Sequence, residues 1–140
     1  GVVQAVREWA SAWSSKNFTS LTAKSEDRER DACRHCMFAG WLTVFLKKNV
    51  NESTRLAWIL LDAHEAAEPK GTPRLALRAR MDQLNNAIGV SVGRKARSSG
   101  TGDPGGYVMK TCIAETTNGR LWVIGSSRGR LRLEHGTMRR

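Results

Sequence analysis

Asp31-Ala-Cys-Arg-His-Cys-Met-Phe-Ala-Gly-Trp41 places a charged cluster directly before a run that is almost wholly apolar. Asp31 and His35 are four apart, so on a helix they share one face. Arg34 lies beside them. Ionisable groups opening a buried helix cost free energy unless they find partners. Two later stretches offer such partners: His64-Glu65, which ends a second apolar run, and Asp82-x-x-Asn85-Asn86. These three pieces are expected to converge on one polar site. The fold expected is mainly α, a small helical domain built on three central helices with a short C-terminal β element.

Working outward, residues 1–140 read as a single domain, since a chain of this length buries a core without staples. Four segments are expected: an N-terminal helix and connection over 1–25, a helical core over 26–97, a Gly-rich loop over 98–106, and a helix or hairpin with a basic tail over 107–140. The longest apolar run, Leu56 to Leu61, is about a third of the roughly 20 residues that span a bilayer. The first residues lack the basic start and apolar core of a signal peptide. A chain opening on Gly1 is expected to be a fragment cut from something longer.

The net charge of +10 is unevenly spread. Residues 1–69 carry 9 basic and 9 acidic side chains, whereas residues 70–140 carry 14 and 4. A basic half points to an anionic partner such as nucleic acid or phosphate headgroups; the bland alternative is a solvated surface that keeps the chain soluble. The three cysteines give Cys33-x-x-Cys36 without a second pair, so they read as small buried helix residues rather than a metal site. A disulfide requires that the domain work outside the cytoplasm.

Helical spacing of Val2, Val6, Trp9 and Trp13 predicts a first helix, and 14–25 a polar connection. Ser25 reads as an N-cap, with Glu26, Asp27 and Glu29 in a first turn that favours negative charge, and that helix is expected to reach Lys48. Asn51 reads as the next N-cap, for a helix running to about Ala67. Pro69, Gly71 and Pro73 form a loop, and a third core helix begins near Arg74. Asp82, Asn86, Gly89 and Gly93 then make one narrow stripe along which another helix or a ligand approaches closely. Asp103-Pro-Gly-Gly reads as a plain turn. Residues 107–124 leave two readings open. Asn118-Gly119 is either a hairpin turn or the left-handed C-cap of a helix followed by a strand. The tail from Ser126, alternating basic and apolar residues, is an edge strand or a basic flexible end.

The candidate acid–base or metal-ligating residues are Asp31, His35, His64, Glu65 and Asp82. A carboxylate one turn from a histidine fixes its tautomer and makes it more basic. Two carboxylates and two histidines also make a reasonable set for a divalent metal ion, although no His-Glu-x-x-His is present. Adjacent side chains do not face each other, so at most one of His64 and Glu65 points inward. Arg34, Asn85, Asn86, Arg94 and Lys95 are the candidate substrate-binding residues. Two asparagines in mid-helix need a reason: a bound ligand, or a neighbouring element to cap. The bland reading of Asp82, Asn85 and Asn86 is an exposed polar face, and of His35 a histidine merely bonded to a carboxylate. The five tryptophans are mostly expected in the core.

Asp-Ala-x-Arg-His at 31–35, Asp-Ala-His-Glu at 62–65, Met-Asp-x-x-Asn-Asn-x-x-Gly at 81–89 and Asn-Gly-x-Leu at 118–121 occur in that order. The chain thereby resembles, over roughly residues 27–124, a bacterial domain of unknown function found at the C-terminal ends of polymorphic toxins and large cell-wall-associated or secreted proteins. The resemblance implies a helical fold and favours a helix ending near 118 that leads into a strand. Leu84 stands where such domains commonly have histidine, and Cys33 where they have an aromatic residue. The first departure shifts weight to His35 and His64. The resemblance further implies a payload delivered from a larger secreted parent protein into a competing cell, and a cognate immunity protein, for which acidity would suit this basic chain.

The leading expectation is therefore a hydrolase-type toxin acting on a phosphate-containing substrate, nucleic acid or envelope lipid. His35 would be base or ligand, Asp31 its orienting partner, and Arg34 the anion contact. The alternatives are a non-catalytic basic domain that binds nucleic acid and a structural segment whose polar cluster fixes helix register.

Overall fold

The computed structural model describes residues 1–17 and 28–136. Among these residues five helices precede one hairpin: α1 Val2–Asn17, α2 Glu29–Phe45, α3 Val50–Ala67, α4 Pro73–Ser98, α5 Pro104–Thr117, then β1 Trp122–Ser127 and β2 Arg130–His135. The architecture is mainly helical with a C-terminal two-stranded antiparallel sheet. The expected Ser25 cap and its Glu26 and Asp27 turn lie outside the described residues.

α2 is the centre. Thirteen of its seventeen residues are buried, which is why its sequence is apolar nearly all round. α1, α3, α4 and α5 all pack on it, α4 most extensively. The close approach is made by glycine. A Cβ on Gly89 would run into the Cys36 carbonyl oxygen, and one on Gly93 would come within 2.6 Å of the Gly40 carbonyl oxygen. The glycine half of the narrow stripe thus lets two helix backbones touch. Along α1, Val6 and Ala10 enter the core, while Trp9 stays 53% exposed and meets Trp41 edge to face at 6.3 Å.

Several boundaries move for identifiable reasons. Asn49, not Asn51, caps α3, accepting from the amides of Asn51 and Glu52 at 2.9 and 3.1 Å. α2 stops at Phe45, before the two lysines. Its last carbonyls are taken by Ser53 of α3, at 3.1 Å from Leu42 O and 2.6 Å from Thr43 O, and by the Arg97 guanidinium, 2.8 Å from Val44 O. Pro73 opens α4 behind a Thr72 cap instead of lying in the loop. Asp103-Pro-Gly-Gly likewise starts α5: Asp103 Oδ1 accepts from the Gly106 amide at 2.9 Å.

α5 ends in a Schellman arrangement. The Arg120 amide donates to Glu115 O and the Gly119 amide to Thr116 O, with Gly119 at φ +70°. The helix-then-strand reading of 107–124 is the correct one. The hairpin comes later, turning at Arg128-Gly129, where φ is +52° and +75°; two successive positive values match the right-handed twist of the strands. The basic tail is therefore strand β2 as far as His135. Arg28 fastens this hairpin to the start of α2, reaching Ile124 O at 3.2 Å, Glu134 at 3.3 Å and Glu29 at 2.9 Å.

Candidate functional site

Asp31 and His35 sit one turn apart on the buried face of α2, and α4 brings Asp82 against them. His35 Nε2 is 3.1 Å from Asp82 Oδ1 and 3.7 Å from Asp31 Oδ1. All three residues are buried, between 5 and 8% exposed. The other imidazole nitrogen, Nδ1, lies 3.3 Å from Asn86 Oδ1. Both facing atoms are acceptors and a neutral imidazole has one N–H: on Nδ1 it donates to Asn86 and turns the Nε2 lone pair to the carboxylates, on Nε2 it donates to Asp82. Arg34, on the same turn, is paired with Asp31 and remains 45% exposed at its side chain.

The imidazole is not made more basic here. Burial above all, and then the Arg34 charge, push its pKa down from the usual 6.5 to about 3; the bond to Asn86 opposes this, and His64 and Arg7 add to it. His35 is neutral at physiological pH. A neutral imidazole with one nitrogen held by an amide has the form of a ligand more than of a proton acceptor.

At the end of α3 the geometry selects Glu65 over His64. Glu65 is 3% exposed, and neither of its carboxyl oxygens meets a donor among the described residues. Burial, then the charge of Glu68, and more weakly that of Asp31, raise its pKa to about 7 against the pull of Lys70. His64 points to the rim, 3.3 Å from Glu68, its pKa lowered by partial burial and then by Arg7. The neighbours divide as helical geometry requires.

The two asparagines also divide. Asn86 orients His35. Asn85 turns to the hairpin, where its amide donates to Trp122 O at 2.9 Å and its Oδ1 accepts from Trp122 N at 2.8 Å. This is the backbone pairing of a strand, supplied by a side chain, and it absorbs Asn85 into the scaffold. Arg94 and Lys95 stand elsewhere. They lie about 18 Å along α4 from Asp82, at a rise of ~1.5 Å per residue, in a groove with Lys48, Thr54 and Trp58, and Arg94 bonds Thr54 at 2.9 Å.

Sequence spacing missed Arg7. It is exposed on α1, yet its charge acts on both His35 and His64, as does that of Arg34. The charges of two exposed arginines thus reach the buried cluster. No signal within residues 1–17 marks Arg7, because its position depends on how α1 crosses α2. The cysteines are resolved too: Cys36, adjacent to His35, forms a disulfide with Cys112 of α5, and Cys33 is buried outside it. Among the described residues no helix is long and apolar enough to cross a membrane.

The profile of a family described as a domain of unknown function (DUF6973) matches residues 2–120. No curated protein and no solved structure matches the chain.

Proposed function

The chain belongs to that family, DUF6973, and from this premise we propose that it is a C-terminal toxin or effector domain used in competition between bacteria, a hydrolase acting on a phosphate-containing substrate. The observation that carries this is the convergence of Asp31, His35 and Asp82, from two helices, with Arg34 paired to Asp31 and the Arg7 charge acting on the same ring. Two guanidinium groups over a buried polar cluster suit a phosphate group, which they hold by charge and by forked hydrogen bonds. Glu65, with a pKa near working pH, is the group suited to carry a proton. Asn85, tied to Trp122, takes no part, and Arg94 and Lys95 serve at most a distant stretch of a long substrate.

The Cys36–Cys112 disulfide supports a chain that spends time in an oxidising compartment, as export from a secreted parent protein and delivery into a target cell would require. The net charge of +10 supports an acidic immunity partner.

A second reading has its own observation. The groove of about 840 Å³ lined by Lys48, Thr54, Trp58, Arg94 and Lys95 combines cations with one aromatic ring, as a non-catalytic nucleic-acid-binding surface would. The test is expression in the bacterial cytoplasm and, separately, with export to the periplasm, of wild type, His35→Ala, Asp82→Ala and the double charge reversal Arg94→Glu/Lys95→Glu. Growth arrest relieved by the first two changes, with the fold retained, supports hydrolysis. Arrest relieved by the charge reversal alone supports the binding surface and removes the hydrolase.

A further inference from the structure

We propose that Asp31, His35 and Asp82 bind one divalent transition-metal ion, each through a single atom, with Asn86 orienting the imidazole from behind. This deepens the reading of the cluster as the functional centre and rests on it, but it is measured without any substrate.

The first support is distance. Asp31, His35 and Asp82 each offer one ligand atom, and these atoms lie within 4.8 Å of one another. Ligands held about 2.1 Å from an ion stand roughly 3–3.5 Å apart. His35 Nε2 stands 3.1 Å from Asp82 Oδ1 and 3.7 Å from Asp31 Oδ1, so small rotations of the carboxyl groups complete the set.

The second is proton placement. In the tautomer whose hydrogen goes from Nδ1 to Asn86, Nε2 turns a lone pair toward Asp82 and can hold an ion there. That nitrogen stands 3.1 Å from Asp82 Oδ1, among side chains only 5–8% exposed. Donation of the second ring nitrogen to a fixed acceptor is also the arrangement by which proteins hold metal-ligating histidines.

The third is rigidity. The Gly89 and Gly93 contacts lock α4 on α2, and the Cys36–Cys112 bond anchors the residue next to His35. The ligand carriers are therefore held in register before any ion arrives, which lowers the ordering cost of binding. One imidazole and two carboxylates favour Mn²⁺ or Zn²⁺ over Mg²⁺ and Ca²⁺, which prefer oxygen alone. The Cys36 sulfur, committed to its disulfide, is withdrawn from the donor set. Three protein ligands leave a position open to water, as in catalytic rather than structural sites.

The experiment is calorimetric titration of the chelator-treated whole chain, disulfide intact, with MnCl₂ and with ZnCl₂. One ion per chain is expected for wild type and for His135→Gln, a histidine outside the ligand set that stacks on Trp122. Asp82→Asn and His35→Gln are expected to weaken binding at least 30-fold, and Asn86→Ala by about 10–100-fold through the loosened ring. Circular dichroism confirms that each variant is folded. Absence of binding by wild type overturns the proposal, even if no variant folds. So does unchanged affinity in Asp82→Asn and His35→Gln, or loss of binding in His135→Gln. A bound ion without growth arrest removes the hydrolase and leaves the metal site. Growth arrest by a chain that binds neither ion removes the metal site and leaves the hydrolase.

Discussion

Asn86 Oδ1 stands 3.3 Å from His35 Nδ1, behind the ring whose Nε2 faces Asp31 and Asp82. Replacing Asn86 with alanine leaves a buried ring nitrogen without its partner. The expected cost is about 1–3 kcal/mol of stability, read as a lower midpoint in chemical denaturation. Replacement by leucine, similar in volume, is expected to cost at least as much, because no acceptor returns.

Asn85 predicts a different phenotype from its neighbour. Its two bonds to Trp122 join α4 to the hairpin. Asn85→Ala is expected to lose about 2–4 kcal/mol, since two bonds go and two strand groups are stranded. Amide exchange should speed up across β1 and β2 before it does so in α2. Uniform acceleration throughout the molecule would contradict this local role.

Gly89→Ala forces a methyl group into the Cys36 carbonyl, which is backbone and cannot rotate away. A loss of about 3 kcal/mol is expected, at the upper end for overpacking. Gly71→Ala, in a loop with nothing within 4 Å, should change stability by less than about 0.5 kcal/mol.

Reduction of the disulfide opens a cross-link spanning 76 positions. Loop-closure entropy puts its contribution at about 4 kcal/mol, so dithiothreitol, or Cys112→Ser, should lower the melting temperature by on the order of 10 °C.

Two buried groups give opposite pH dependences in the metal-free protein. Glu65 has a folded pKa raised from 4.5 to about 7, so the folded state holds more protons between those values, and stability falls as pH rises through them. His35 has a folded pKa lowered from 6.5 to about 3, so the unfolded state holds more protons there, and stability falls as pH drops through that window. Glu65→Gln should therefore gain stability relative to wild type as pH climbs from 4.5 past 7. Denaturation midpoints measured at half-unit intervals check this.

Much of the site was legible because helical spacing is local. Asp31 and His35 needed only the four-residue repeat; the rule that neighbours face apart said that at most one of His64 and Glu65 points inward, but the sequence put weight on His64 and packing buries Glu65. The glycines at 89 and 93 announced a close crossing, because a residue without a side chain has no other use in mid-helix. What sequence could not supply was the partner. Asn85 and Asn86 look alike on paper, and only the hairpin's arrival separates a scaffold clamp from a ring holder. The direction of the His35 shift was missed for a related reason: the adjacent carboxylate was visible, whereas the burial that lowers the ring's pKa is a product of tertiary packing. The cysteine pairing was hidden because Cys33-x-x-Cys36 draws the eye to a local motif, while the bond runs to α5.

The bond between Cys36 and Cys112 also makes the folded polypeptide a closed ring with two tails. A pore wide enough for a single extended strand does not admit a ring. Passage through such a pore must precede oxidation or follow its reversal, so the moment at which these two sulfurs join divides the chain's life into a threadable stage and a locked one.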